Sequence, residues 1–108
     1  MSKDGFSYTS NEVDVNKKIT IVASKWNAEL VNELIESGRI HLESLGFSDL
    51  KIIYVPGAWE LGHAAQKEVV HADGVIAYGV VIRGETTHYE LISEASTHGL
   101  MQGSIDAN

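Results

Sequence analysis

With 108 residues, of which 44% are hydrophobic and 21% charged, the chain is long enough for one globular domain and too apolar for a disordered one. A net charge of −7, with Lys17-Lys18 as the only adjacent basic pair, excludes a broad nucleic-acid surface, which needs clustered cations against phosphate. The lack of cysteine excludes disulfides, zinc–thiolate centres and thiol nucleophiles.

The N-terminus, MSKDGFSYTSNEVDVNKK, has no apolar leader region, and no apolar run approaches membrane-spanning length. No membrane partner is expected, and the cytoplasm is the default location. Residues 1–16 are polar and mixed and read as an arm, in which Phe6-Ser7-Tyr8 has the character of a short pairing strand. Residues 17–108 are expected to form the domain. A domain this small buries a limited share of its surface, so a partner subunit would add stability.

Lys18–Ala23 is short, apolar and β-branched, which predicts a buried strand. Ser24-Lys25-Trp26-Asn27 follows as a loop, and Asn27 is placed to cap a helix running to about Leu45. The apolar positions of that helix, Val31, Leu34, Ile35, Leu42 and Leu45, recur mostly at three- and four-residue spacing. Gly46 is its expected terminator. Leu50–Val55 predicts a second strand, Pro56-Gly57 a turn, and Trp59 to Val70 a second helix with Leu61, Ala64, Ala65 and Val69 on one face. Gly74–Ile82 is an unbroken apolar strand, and Arg83-Gly84-Glu85-Thr86 a loop. From Thr87 a third helix runs into Gly99 and Gly103, opened by the capping-box pattern Thr87-His88-Tyr89-Glu90. Three strand–helix units in succession predict an α/β fold: a parallel, flavodoxin-like sheet with helices on both faces, a three-layer α-β-α sandwich.

In such sheets ligands bind beyond the carboxyl ends of the strands. Those ends carry three loops, residues 24–27, 56–60 and 83–88, which hold both tryptophans, an Asn, two Glu, an Arg and a His. Each element has a structural reading of its own. Trp26 and Trp59 can cover helix ends, Asn27 can cap, Glu60 suits a first helical turn, and Arg83 suits a surface ion pair. Their joint occurrence favours a small-molecule site, where flat apolar surfaces meet a few convergent polar groups. Gly84 allows close ligand approach, and the N–H groups around Glu85 and Thr86 would open toward an anion such as phosphate. At a helix N-terminus the dipole disfavours imidazolium, so His88 is expected to be a neutral ring able to accept a proton. His41, His63, His71 and His98 make no metal-binding spacing, and Ser24 lies in no nucleophile elbow.

Three segments carry a resemblance. Ile82-Arg83-Gly84-Glu85-Thr86-Thr87-His88-Tyr89 resembles the I-R-G-D/E-T-x-H-F/Y signature of lumazine synthases. Val55-Pro56-Gly57-Ala58-Trp59-Glu60-Leu61 resembles their V-P-G-A-F/W-E-I/L turn, and Ser24-Lys25-Trp26-Asn27 their S-x-F/W-N segment. The resemblance extends from about residue 17 to the chain end. It implies condensation of 5-amino-6-(D-ribitylamino)uracil with 3,4-dihydroxy-2-butanone 4-phosphate to 6,7-dimethyl-8-ribityllumazine, on the route to riboflavin, with no metal or organic cofactor. It implies that Trp26 and Asn27 bind substrate, Trp26 covering the pyrimidine, and that Ala58, Trp59 and Glu60 hold the ribityl chain. Val80, Val81 and Ile82 would present backbone groups to the ring edge, Glu85 and Thr86 would bind phosphate, and His88 would carry protons. The family's sites lie between subunits of pentamers, sometimes built into shells.

Two departures stand out. Gly62-His63 occupies a place where the family often has Pro. The chain also stops before a further strand and two helices of the family, which bring an aromatic residue and basic residues to the neighbouring site. Two other readings therefore fit the same residues. One is a truncated, non-catalytic binding or assembly chain, and the other a relative of the archaeal type of riboflavin synthase, which shares the fold.

Overall fold

The computed structural model describes residues 13–83 and 88–107. Strand β1 (Ile19–Ser24) leads to helix α1 (Ala28–Ser44), then β2 (Leu50–Val55). A single 3-10 turn (Ala58–Glu60) runs directly into α2 (Leu61–Glu68), followed by β3 (Gly74–Tyr78) and α3 (His88–Ala107). The three strands form one parallel sheet in the order β2-β1-β3, with Ile21 paired to both Ile52 and Ile76. The chain thus steps from β1 to one side, then crosses back over β1 to the other. Right-handed crossovers in opposite directions put their helices on opposite faces, which produces the expected sandwich. Among the described residues no helix is long and apolar enough to cross a membrane.

The central strand supplies both halves of the core. Ile21 and Ala23 point to one face, where Val31 and Ile35 of α1 close over them with Leu42, Ile76 and Tyr78. Val22 points to the other face, against Ala58 and Leu61, with Ala64, Ala65, Ile92 and Leu100 around it. Burial of each such aliphatic side chain is worth about 1.5–3 kcal/mol. On α1 the buried stripe is narrower than the pattern suggested, because Leu34 and Leu45 are exposed. The helix lies mainly over β1 and β3. The same face of β2 is therefore left open at Ile52 and Tyr54.

Gly46 ends α1 as expected. It adopts φ 106°, where a Cβ is penalised. The Gly46 N–H donates to Glu43 O at 3.0 Å and the Phe47 N–H to Leu42 O at 3.1 Å, a Schellman arrangement. Helix α3 does not stop at its glycines but continues through Gly99 and Gly103. Those positions serve packing: a Cβ placed on Gly62 of α2 would stand 2.8 Å from the carbonyl carbon of Gly99. The two backbones touch, which fixes how α3 crosses α2.

Two other element boundaries differ from expectation. Strand β3 ends at Tyr78 rather than Ile82. Its last rung is Ala23↔Tyr78, and β1 turns away after Ser24, so residues 79–82 have no strand left to pair with. The second helix is a 3-10 turn joined to a shorter α-helix, since Pro56-Gly57 is followed by a tight Glu60 N–H to Gly57 O bond of 3.2 Å. The expected strand at Phe6-Ser7-Tyr8 lies outside the described residues. The last residues of the expected arm make a turn in which the Asn16 N–H donates to Asp14 Oδ1 at 3.0 Å.

Candidate functional site

The carboxyl ends of all three strands meet around one cleft of about 480 Å³. Trp26 and Asn27 line it from the loop after β1, and Pro56 through Glu60 from the segment after β2. Val80, Val81 and Ile82 line it from the segment after β3, and Ile92 from α3. All eight of the expected substrate-binding residues that lie in the described regions stand in this lining. Glu85 and Thr86, like Gly84 and Thr87, lie outside the described residues. The backbone of His88 opens α3, so position 88 is one helical turn ahead of Ile92 and on its face.

Hydrogen bonds join the three walls. The Lys25 N–H donates to Val55 O at 2.8 Å, tying the first loop to the second. Asn27 Nδ2 donates to Val80 O at 2.9 Å, tying the first to the third. Within the second, the Gly57 N–H donates to Glu60 Oε2 at 3.0 Å. That bond is the return half of a capping box, the half that glycine permits. It fixes the Glu60 carboxylate at the rim and leaves its other oxygen free of that contact.

The two indoles are exposed walls of the cleft. Trp26 is 72% and Trp59 52% exposed. Neither is a core residue. The Trp26 ring lies against Gly57: a Cβ there would be 3.2 Å from Trp26 Cδ1. Glycine at 57 thus lets the indole settle over the second loop.

Asn27 departs from its expected role as a side-chain cap. It occupies the N-cap position, and its carbonyl accepts the first helical bond from the Val31 N–H at 3.0 Å, but its side chain makes no capping bond. Its backbone is left-handed, φ 60° and ψ 47°, which swings the amide away from the helix start and toward Val80. Arg83 forms the expected ion pair, Nη2 to Glu90 Oε1 at 3.1 Å, with both side chains well exposed. The capping box proposed for Thr87–Glu90 involves Thr87, outside the described residues.

Pro56 and Gly57 line the cleft as part of the expected loop 56–60, whereas sequence reasoning missed Ile92. The spacing of Ile92, four after His88 on one helix, is the signal that points to it. A second, larger groove of about 640 Å³ runs between α2, β3 and α3, with Ala65, Val75 and Leu100 among its walls. It lies beside the outer edge of β3, and its lining brings together no acid–base pair. Among the described residues no cluster of His, Asp or Glu has the makings of a metal site.

The order β2-β1-β3 reverses direction at β1, and the cleft opens where the chains after β1 and β3 part toward opposite faces. The fold and site therefore define a parallel α/β protein of the kind that binds a small molecule at a topological switch point. The model of the 6,7-dimethyl-8-ribityllumazine synthase family matches residues 16–108, and the chain belongs to that family.

Several curated relatives carry the same family name. The 6,7-dimethyl-8-ribityllumazine synthase of Arthrobacter sp. (strain FB24) is 38% identical over 89 residues, covering 82% of this chain and 55% of its own. That of Leuconostoc mesenteroides is 39% identical over 106 residues, covering 94% and 68% respectively. That of Kineococcus radiotolerans is 38% identical over 109 aligned positions, covering 97% and 65%. The chain thus spans between about half and two thirds of the length of the curated relatives it matches.

Proposed function

We propose that the chain is the ribityl-aminouracil side of a lumazine synthase. The observation that carries this reading is the single cleft into which Trp26, the Ala58–Glu60 turn and the Val80–Ile82 backbone converge. Trp26 supplies an exposed π-face for the pyrimidine of 5-amino-6-(D-ribitylamino)uracil. Ala58 and Trp59 flank the ribityl chain, and Glu60 accepts from its hydroxyls with the oxygen that Gly57 does not use. The Val80–Ile82 segment, released from the sheet after Tyr78, offers backbone donors and acceptors to the ring edge.

In the reaction the amine of the uracil attacks the ketone of 3,4-dihydroxy-2-butanone 4-phosphate, and water leaves as the imine forms. Phosphate is eliminated, and the ribityl-bearing nitrogen closes the second ring with loss of another water. His88 moves protons in these steps from the first turn of α3, and Glu85 and Thr86 hold phosphate through backbone N–H groups. The carbon skeleton joins without a net redox change, so the chemistry asks for acid–base groups and positioning. The assembly is a homo-oligomer, a pentamer or a shell of pentamers. The open apolar face at Ile52 and Tyr54 suits burial against a second subunit. The setting is the cytoplasm.

The test is to mix the protein with both substrates and follow the absorbance of the lumazine product. Product that is lost in His88→Ala supports the reading. Absence of product, both from the chain alone and after the remaining family-length segment is supplied in trans, contradicts it.

A further inference from the structure

Asn27 is the one non-glycine residue with positive φ among the described residues. Asparagine tolerates that conformation better than most side chains, but a left-handed N-cap forfeits the capping bond that asparagine usually makes. The amide is engaged elsewhere, 53 positions along the chain, on Val80 O. That carbonyl lies two residues beyond the last β1–β3 rung, Ala23↔Tyr78. The main chain of β1 has already turned into α1, so Asn27 Nδ2 stands in for the missing rung. It does so across the crevice where the chain leaves β1 for one face of the sheet and β3 for the other.

A carbonyl accepts and does not donate, so the orientation of the amide is set. Nδ2 must face Val80, and Oδ1 is left for the cleft that Asn27 lines. We propose that Asn27 is a positioning residue: by clamping Val80 it holds the 80–82 backbone against the ring edge of the ligand. This rests on the reading of the cleft as the ribityl-aminouracil site and deepens it. The left-handed turn is the means, because only that turn aims a side chain from the N-cap of α1 at the continuation of β3.

Three variants of the 108-residue chain separate the parts of the clamp. Asn27→Gly keeps the left-handed turn and removes the amide. Asn27→Asp keeps the shape but points a second acceptor at the Val80 carbonyl. Asn27→Ala removes the amide and strains the turn. Two measurements are made on each: amide exchange by NMR along the chain, and affinity for 5-amino-6-(D-ribitylamino)uracil by tryptophan fluorescence. Inorganic phosphate is titrated as a second probe.

Loss of one part-buried hydrogen bond predicts a Kd for the ribityl-aminouracil about tenfold higher in Asn27→Gly, and higher again in Asn27→Asp. Exchange should rise at residues 80–82 with little change along β2, and affinity for phosphate should stay as in the wild type. The proposal is overturned if Asn27→Asp binds and exchanges like the wild type. It is also overturned if exchange in Asn27→Gly rises evenly over the whole domain, the mark of a purely structural residue. Should the wild type itself not bind the ribityl-aminouracil, the functional reading fails, and the exchange pattern alone still decides whether the clamp exists.

Discussion

The contact between α2 and α3 makes a quantitative test of how the site is held. Gly→Ala in a helix ordinarily stabilises by roughly 0.5–1 kcal/mol, because alanine loses less backbone freedom on folding. Gly62 should reverse that sign. A Cβ there would stand 2.8 Å from the Gly99 carbonyl carbon, 3.0 Å from its Cα and 3.1 Å from the Leu100 nitrogen. All three are backbone atoms of α3, so no rotamer change relieves the clash. Overpacking of a tight core costs typically about 1–3 kcal/mol, and a clash with rigid backbone belongs at the upper end. Set against the propensity gain, Gly62→Ala should destabilise by roughly 2 kcal/mol, or lower Tm by on the order of 10 °C in a domain of this size.

Gly99→Ala is the matched control. Its Cβ would meet only Gly62 Cα, at 3.6 Å, an ordinary contact. That variant should be neutral or slightly more stable. Urea denaturation of both variants, followed by far-UV circular dichroism, measures the pair. Equal stability of Gly62→Ala and wild type, or equal damage from both alanines, would refute the close-crossing argument. The consequence reaches the site, since α3 supplies Ile92 to the cleft wall, with position 88 one turn before it. In Gly62→Ala any activity should therefore fall by more than the folded fraction does.

Further outcomes are expected elsewhere. Ser24 Oγ is buried without a hydrogen-bond partner, so Ser24→Ala should raise stability by roughly 1 kcal/mol in the same denaturation assay. His88→Ala should slow turnover by about 10²–10⁴-fold while leaving the Kd for ribityl-aminouracil nearly unchanged; an unchanged rate would remove its role as proton carrier. The side-chain hydrogen bond from Arg39 holds the Glu36 carboxyl below the usual carboxylate range, against slight desolvation. A depressed folded value means that stability from this pair is present above the unfolded value and fades as pH falls through the folded one. Arg39→Ala should accordingly lower Tm slightly at neutral pH, with the difference closing in acid. Because Glu36 is exposed and Arg39 half-buried at the surface, added salt should shrink it too.

Most of the architecture is legible in the residues, because it rests on short-range signals. The β-branched run before Ser24, the Gly46 terminator and the Pro56-Gly57 turn each act locally, and their elements fall where the pattern puts them. The errors come from non-local causes. β3 is apolar through Ile82, but a strand lasts only as long as its neighbour, and β1 leaves after Ser24. Leu34 and Leu45 fit the helical period yet stay exposed, since α1 covers two strands rather than three. Asn27 looks like a cap because caps are local. Its partner at Val80 becomes visible only once the sheet order is known. The cleft itself was readable as three loops at one sheet edge, whereas Ile92 entered it through the crossing of α3 over α2, which Gly62 and Gly99 determine.

As the proposed wall of a ribityl-aminouracil site, Trp26 can be watched alone in a Trp59→Phe background. Titrating that variant with 5-amino-6-(D-ribitylamino)uracil should give a saturable change in Trp26 emission at one ligand per chain, weakened by Glu60→Ala. Emission that stays constant up to millimolar ligand, or a change that Glu60→Ala leaves untouched, would contradict the account.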